Sequence, residues 1–150
     1  MDYSFTKSQQ ALRDKTIGFV QSEISRDVAR EVDKLGEFPH DLMNKLGEQG
    51  FWKINIPEKY GGDGGNVVDL MIFFEEISKA LPVLSWTAGD VLPYGNNILQ
   101  VTRNEEQRLQ YLPKLAKGEL IFCFALTEPD AGSDAANITT SAVKEGDQYI

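Results

Sequence analysis

The sequence contains a single cysteine, a single histidine and no long apolar run, and each shortage excludes a class of protein. Cys123 has no partner for an internal disulfide, which fits a reducing compartment. No apolar run approaches the roughly 20 residues of a membrane helix. The N-terminus lacks the basic region and apolar core of a signal peptide. We therefore expect a cytoplasmic protein without membrane insertion.

Positive charge is also scarce. The 15 Lys and Arg residues face 23 Asp and Glu residues, and the formal net charge is −8. This balance argues against nucleic acid or an anionic membrane as the main partner. We also expect no metal site. A hydrophobic fraction of 41% and a length of 150 residues are those of a globular chain with a real core.

Helical spacing dominates the first two thirds of the chain. Thr6 and Gln9 have the spacing of a capping box and predict a helix start. Pro39 is placed to begin a second helix, which Gly50 ends. Before it, apolar residues at intervals of three, four or seven predict one long amphipathic helix that ends at Gly36, with an apolar face formed by Leu12, Phe19, Val20, Ile24, Val28, Val32 and Leu35.

A short segment of aromatic residues and glycines follows. Residues 51–60 contain Pro57 and predict an extended connector. Residues 61–65, GGDGG, suggest a phosphate-binding loop, but neither a Lys-Ser/Thr pair nor the dinucleotide spacing accompanies them. We therefore expect a flexible turn, with Asn66 as the cap of the next helix.

Three further helical stretches come before residue 118. Val67–Ala80 is apolar on a wide face and predicts a central helix. Residues 82–100 predict a kinked or broken helix, which either lines a cavity or is an irregular part of the core. Asn104 is placed to cap a short helix over residues 105–115, and Gly118 is the predicted domain boundary.

The pattern changes to strand spacing after Gly118. Residues 120–126 are apolar and aromatic, as in a buried strand, and residues 127–134 supply turn formers and hydroxyls. Such a loop can direct backbone N–H groups and the hydroxyls of Thr127 and Ser133 at a ligand. Gly132 lets the backbone approach that ligand closely.

Cys123 lies inside this apolar run. We interpret it as a buried packing thiol and not as a nucleophile, because His40 is the only imidazole in the chain and is expected to be exposed in a first helical turn.

Residues 138–143 predict a second strand, and residues 145–147 predict a turn. A few isolated strands are marginally stable in water, so the chain is expected to be a fragment of a larger protein.

Residues 125–134, ALTEPDAGSD, resemble the signature of the acyl-CoA dehydrogenase family. The signature is a small residue, an aliphatic residue, Thr or Ser, Glu, two variable positions, a small residue, Gly, Ser or Thr, and Asp. All ten positions fit, and Asn137 stands where the family usually has a small residue. Other segments resemble family landmarks in the same order, namely Phe38-Pro39, Leu46-Gly47, IPEKYGG at 56–62, EEISKA at 75–80, LPKL at 112–115 and Gly118-Glu119.

The resemblance implies an α+β architecture. Residues 1–118 would form an all-helical N-terminal domain, and residues 119–150 would open an antiparallel middle β domain. Family members continue into a C-terminal helical domain that carries the catalytic glutamate, so the catalytic base is expected beyond residue 150 and no catalytic residue is assigned here. Glu128 is in the loop, but its place in the signature favours a structural role over catalysis.

The implied reaction is FAD-dependent α,β-dehydrogenation of an acyl-CoA thioester to a 2-enoyl-CoA, as in fatty acid metabolism. A carboxylate removes the α-proton while the β-hydrogen leaves as hydride to the flavin. Thr127 would lie near the flavin N5 and O4 edge, and Ser133 near the pyrophosphate or the acyl-CoA, which makes Ser133 a substrate-binding candidate as well. The full set of implied FAD-binding residues is Phe124, Ala125, Leu126, Thr127, Gly132 and Ser133.

The resemblance also implies an electron-transfer flavoprotein as the acceptor and a homotetrameric assembly. Two other classes stay open at this point. One keeps the fold with different chemistry, as an acyl-CoA oxidase, a nitroalkane oxidase or a flavin monooxygenase. The other is a non-catalytic helical interaction domain.

Overall fold

The computed structural model describes residues 4–101, 104–123 and 125–150, with the backbone alone for residues 93–96 and 98. A helical unit comes first, and two short antiparallel strands lie near the C-terminus, which confirms the α+β class. None of the helices in this part of the chain is long and apolar enough to cross a membrane. The elements are α1 (Lys7–Glu23), α2 (Arg26–Leu35), α3 (His40–Glu48), α4 (Val67–Ala80), α5 (Pro82–Gly89), α6 (Asn96–Val101), α7 (Glu105–Ala116), β1 (Lys144–Glu145) and β2 (Gln148–Tyr149).

The predicted long first helix is divided into α1 and α2. The capping box at Thr6 is confirmed, and Gly36 ends α2 in the left-handed conformation at φ 64°. Between the two helices, the Ser25 hydroxyl accepts a hydrogen bond from the Val28 N–H and begins a new helix. Ile24 and Val28 both pack on the core, so the apolar periodicity continues through the break. The single long helix was therefore a wrong prediction.

Residues 51–60 are not extended. They form two 3₁₀ turns, Phe51–Lys53 and Glu58–Tyr60, and contribute side chains to the centre of the helical core. The Phe51 ring has no exposed surface and lies 5.5 Å from the Phe19 ring and 5.2 Å from the Phe73 ring, centroid to centroid. α1 and α4 thus meet across a segment that was predicted to be a connector.

The glycine-rich turn is closed by backbone hydrogen bonds. The N–H groups of residues 63, 64 and 65 donate to the carbonyl oxygens of Lys53, Ile56 and Ile54 at 2.9, 2.9 and 2.7 Å. These N–H groups are the donors that a phosphate would need, so the rejection of a phosphate loop has a physical basis. Asn66 then caps α4 through the Val68 N–H, as predicted.

A partly buried ion pair joins α1 to α4. The Arg13 guanidinium donates to the Glu76 carboxylate at 2.8 Å, and Lys79 donates to the same oxygen at 2.9 Å. The hydrogen bond from Arg13 is the main cause that lowers the pKa of Glu76. Glu76 is a buried carboxylate with two cationic partners, so its charge is compensated.

Residues 82–101 are irregular, as predicted. α5 passes into a π-helical turn, Asp90–Gly95, before α6 begins. Asn104 caps α7 through the Gln107 N–H, also as predicted. Arg108 of α7 donates to the carbonyl oxygens of Leu99 and Gln100, which fastens α7 to α6.

The predicted buried strand over residues 120–126 is wrong. Within the described residues, this stretch pairs with no other strand, and Ile121 and Leu126 are 47% and 44% exposed. Cys123 is a free, exposed cysteine and not a packing thiol. Of the residues in this stretch that the structure describes, Leu120 and Phe122 pack on the helical core. Apolar composition is not enough to form a strand when no neighbouring strand supplies hydrogen-bond partners.

The second predicted strand is shifted along the chain. Residues 138–142 pair with no strand in the part of the chain that the structure describes, and β1 and β2 form a short hairpin with Glu145 opposite Gln148. The predicted turn is confirmed, with Gly146 at φ 62°. Backbone hydrogen bonds between Val143 and Ile150 extend the hairpin by one pair.

The Trp52 indole lies between two glycines where the chain leaves the helical unit. A Cβ atom on Gly118 would lie 2.9 Å from Trp52 Cδ1, and one on Gly47 would lie 2.8 Å from Trp52 Nε1. Trp52 is 3% exposed and cannot move aside without disturbing the core. Gly118 also has φ +74°, which L side chains rarely adopt. The domain boundary at Gly118 stays a prediction.

We expect Gly118→Ala to lower the free energy of unfolding by about 2 to 4 kcal/mol, because it combines a left-handed backbone with a collision against Trp52. Gly18→Ala is the matched control: a Cβ there meets no atom within 4 Å, and the substitution should raise stability by about 0.5 to 1 kcal/mol. Urea unfolding followed by helical circular dichroism measures both. Equal effects of the two variants would contradict the close packing of Trp52 against Gly118.

Candidate functional site

The loop that follows residue 126 is built on a tight turn. The Glu128 N–H donates to the Ala131 carbonyl at 3.0 Å, and the Ala131 N–H donates to the Glu128 carbonyl at 3.2 Å. Pro129 and Asp130 form the corner, where a proline with its fixed φ is well suited. Ala131 is 1% exposed, whereas its neighbours in the loop are exposed or half-buried. The turn therefore has one fixed point, and polar residues project from it.

The Glu128 carboxylate accepts three hydrogen bonds from residues further along the chain. The Thr139 N–H and hydroxyl donate to Oε2 at 2.9 and 3.1 Å, and the Thr140 N–H donates to Oε1 at 2.9 Å. The Thr140 side chain, then the backbone N–H groups of Thr139 and Thr140, lower the pKa of Glu128 to about 2. A carboxylate that is held so firmly in its charged form is a weak base. This geometry agrees with a structural role for Glu128.

Thr127 and Ser133 occupy the two sides of the turn and are both exposed. In the described part of the chain, neither hydroxyl has a hydrogen-bond partner, so both are available to a ligand. A Cβ atom built on Gly132 meets no atom within 4 Å, which leaves open space beside the backbone. Ala125 and Leu126 are exposed as well, and Phe124 lies outside the described residues.

These residues fit a flavin nucleotide in their chemistry. FAD offers carbonyl and phosphate oxygens as acceptors and an apolar ring system, and the loop offers free hydroxyls, a glycine with open space and an exposed Leu126. In the described residues, no group of three or more His, Cys, Asp or Glu side chains could hold a metal. The role of each predicted FAD residue stays a prediction.

A groove between α4 and α5 is the second candidate site. Its volume is about 310 Å³, and the apolar side chains of Phe74, Pro82 and Trp86 line it together with Ser78, Ser85, Gly89 and Asp90. Trp86 is 78% exposed, although a tryptophan usually buries most of its surface. The volume is at the lower end of the range of ligand pockets. The broken-helix segment borders this groove on one side and contributes to the core on the other, through Leu84, Ala88, Val91, Leu92 and Leu99, so both alternatives stated above are found.

Thr139 and Thr140 are the site residues that sequence reasoning missed. Their β-branched side chains were read only as strand formers, whereas they bind the Glu128 carboxylate. Nothing in a spacing of 11 or 12 residues predicts such a contact. His40 is exposed, as expected, and the centroid of its ring lies 4.6 Å from that of the Phe38 ring.

Comparison with known proteins places this fold and this loop in a family. Residues 6–119 match the family model of the acyl-CoA dehydrogenase N-terminal domain. A probable acyl-CoA dehydrogenase, YngJ, from Bacillus subtilis is 37% identical over 150 residues, which are 100% of this chain and 39% of that protein. The caffeyl-CoA reductase-Etf complex subunit CarC from Acetobacterium woodii is 34% identical over 97% of this chain and 38% of its own length.

Solved structures agree. The crystal structure of acyl-CoA dehydrogenase from Geobacillus kaustophilus matches with a TM-score of 0.89 and 33% identity, over 100% of this chain and 39% of that chain. The present chain belongs to the acyl-CoA dehydrogenase family. It spans about two fifths of the length of the relatives that it matches.

The lowered pKa of Glu128 gives a pH prediction. Because the folded-state pKa lies at about 2, below the ordinary value of 4.5, the stability from these hydrogen bonds is fully present above pH 4.5 and is lost as the pH falls through about 2. Carboxyl ¹³C NMR should show Glu128 charged at pH 4.

Thr139→Val removes one of the three hydrogen bonds, the one from the hydroxyl to Oε2, and should move the Glu128 midpoint upward. A midpoint near 4.5 in the folded wild-type protein would contradict the assigned contacts.

Proposed function

We propose that the full-length protein is an FAD-dependent enzyme that oxidises an acyl-CoA thioester to a 2-enoyl-CoA. The observation that supports this most is the exposed pair of hydroxyls on Thr127 and Ser133, which flank a turn with the family signature. Membership of the family supports the class of reaction. Because the chain covers 39% of the length of its relative from Bacillus subtilis, the activity, substrate and partners of the whole protein are proposals.

The chain's own contribution to the reaction is binding and positioning. We assign the Thr127 hydroxyl as a donor to the flavin and the Ser133 hydroxyl as a donor to phosphate or acyl-CoA oxygens. When bound, FAD supplies the acceptor for the two electrons that leave with the β-hydrogen. A donor that is held in place before the reaction stabilises negative charge without reorganisation.

Glu128 is not suited to remove the α-proton. This carboxylate is next to Thr127 in the sequence, but it is fully engaged with Thr139 and Thr140 and its pKa is about 2. We propose that the base comes from a part of the protein outside these 150 residues.

The groove between α4 and α5 is our candidate for the acyl chain. Its apolar residues, Phe74, Pro82 and Trp86, suit a hydrocarbon. Ser85 and Asp90 add polar groups at its edge.

A second candidate function is the same reaction in the direction of reduction. The relative from Acetobacterium woodii is described as a reductase subunit, and its description also names Etf. Reduction of a 2-enoyl-CoA would use the same loop and groove. Assays with both an acyl-CoA and a 2-enoyl-CoA decide the direction.

We further propose an electron-transfer flavoprotein as the electron partner, which the name of that relative supports. The cytoplasmic location is supported by the free, exposed thiol of Cys123, which suits a reducing compartment. The homotetramer rests on family resemblance alone.

We expect Thr127→Val to slow flavin reduction in the full-length protein by about tenfold to a hundredfold, with little change in acyl-CoA affinity. The substitution deletes one donor and nearly keeps the shape of the side chain. Stopped-flow absorbance with an accepted acyl-CoA, beside a substrate titration, separates the two effects.

Ser22→Ala, which deletes a hydroxyl from α1, is the control and should change neither quantity. Unchanged reduction with weakened acyl-CoA binding would show that Thr127 serves the substrate. A full-length protein that stays colourless after addition of FAD would sink the proposed function.

We expect Gly89→Leu to reduce kcat/KM more for long acyl chains than for short ones, by about tenfold or more between the longest and shortest chains that the wild type accepts. A Cβ at Gly89 meets no atom within 4 Å, so the new side chain extends into the groove and not into the core. Steady-state kinetics on an acyl-CoA series measures this. A uniform loss at every chain length, with an unchanged melting temperature, would place the acyl chain elsewhere.

A further inference from the structure

The segment from residue 125 to residue 143 has little regular structure to hold it. In the described residues it contains the 128–131 turn and one 3₁₀ turn at Ala135–Asn137, and outside that first turn its only strand-like pairing is that of its last residue, Val143, with Ile150. Its exposed residues gain little from burial. The positions of Thr127 and Ser133 therefore depend on a few polar contacts.

Two sets of hydrogen bonds close this segment, and both involve Glu128. The backbone of Glu128 pairs with Ala131 in both directions and closes the inner turn. The side chain of Glu128 binds residues 139 and 140 and closes an outer loop. Ser133 lies on the chain between the two closures, and Thr127 is the immediate neighbour of the shared residue.

We propose that Glu128 is a positioning residue for the cofactor loop: its carboxylate, by binding Thr139 and Thr140, sets the separation of the Thr127 and Ser133 hydroxyls. This inference rests on the proposed FAD function. Glu128 touches neither cofactor nor substrate in this role and acts through the backbone on either side of it.

A carboxylate is the side chain that these donors require. Oε2 faces two donors and Oε1 faces one, and an ionised carboxylate offers acceptors only. A glutamine in the same place has one NH₂ group, which would point a donor at the donors of Thr139 or Thr140. Because bonds to a charged acceptor are shorter and stronger than neutral ones, the loop loses both a bond and the charge.

Closure of the outer loop lowers the entropy that the cofactor must otherwise remove. An open segment of 11 or 12 residues samples many separations of its hydroxyls, and binding has to select one. If the outer loop is already closed in the folded protein, the separation of the hydroxyls is fixed before the cofactor binds. We therefore expect FAD affinity to fall when residues 139 and 140 lose order.

The test uses the full-length protein with Glu128→Gln and, as a matched control, Glu48→Gln, an exposed residue at the end of α3 that loses the same charge. FAD affinity is measured by calorimetry on the apoprotein. Amide hydrogen exchange of Thr139 and Thr140 is measured by NMR without cofactor. Glu128→Gln should weaken FAD binding about tenfold or more and speed exchange at both amides. Glu48→Gln should change neither.

A milder variant keeps the test decisive if Glu128→Gln does not fold. Thr139→Val removes only the hydroxyl bond and leaves the carboxylate and both N–H groups. It should weaken FAD binding by about threefold.

The failures are distinguishable. If the wild type binds FAD and Glu128→Gln binds it equally while exchange at Thr139 and Thr140 speeds up, the positioning role is overturned and the proposed function stands. If the wild type does not bind FAD, both are overturned.

Discussion

The packing of Phe51 between Phe19 and Phe73 is the contact on which the helical unit depends. Phe51 and Phe73 have no exposed surface and Phe19 is 2% exposed, so three separate parts of the chain meet at one dry point. Each ring removes a large apolar area from water, and aromatic pairs at these separations gain further stabilisation. The glycine-rich turn closes over the same segment, and Trp52, the next residue, packs against Gly118 at the exit of the unit. The place where the polypeptide leaves the helices is therefore fixed by the core.

Beyond that exit, a different kind of interaction controls the structure. Residues 121, 123, 125 and 126 are exposed, and the loop after them is ordered by hydrogen bonds to a charged carboxylate. The two parts therefore suit two tasks. A packed core gives a rigid base, and an exposed loop held by polar contacts leaves hydroxyls and open space for a ligand.

Features encoded within a few residues could be predicted from the sequence. The caps at Thr6, Asn66 and Asn104 and the left-handed end at Gly36 follow from local chemistry, and the signature loop follows from its residues. Contacts between distant residues could not be predicted. The burial of residues 51–60 depends on Phe19 and Phe73, and the contact of Glu128 with Thr139 depends on the path of the loop. The strand predicted over residues 120–126 was wrong because a strand needs a distant partner. The composition suits a strand, but no described residue pairs with this stretch.

The central claim is that the turn at Glu128–Ala131 presents Thr127 and Ser133 to FAD. A crystal structure of the full-length protein with FAD tests it most directly. The account predicts the Thr127 hydroxyl within hydrogen-bond distance of the flavin, Ser133 within the same distance of a phosphate or acyl-CoA oxygen, and the Glu128 contacts to Thr139 and Thr140 intact. FAD bound elsewhere, with both hydroxyls in solvent, would contradict it.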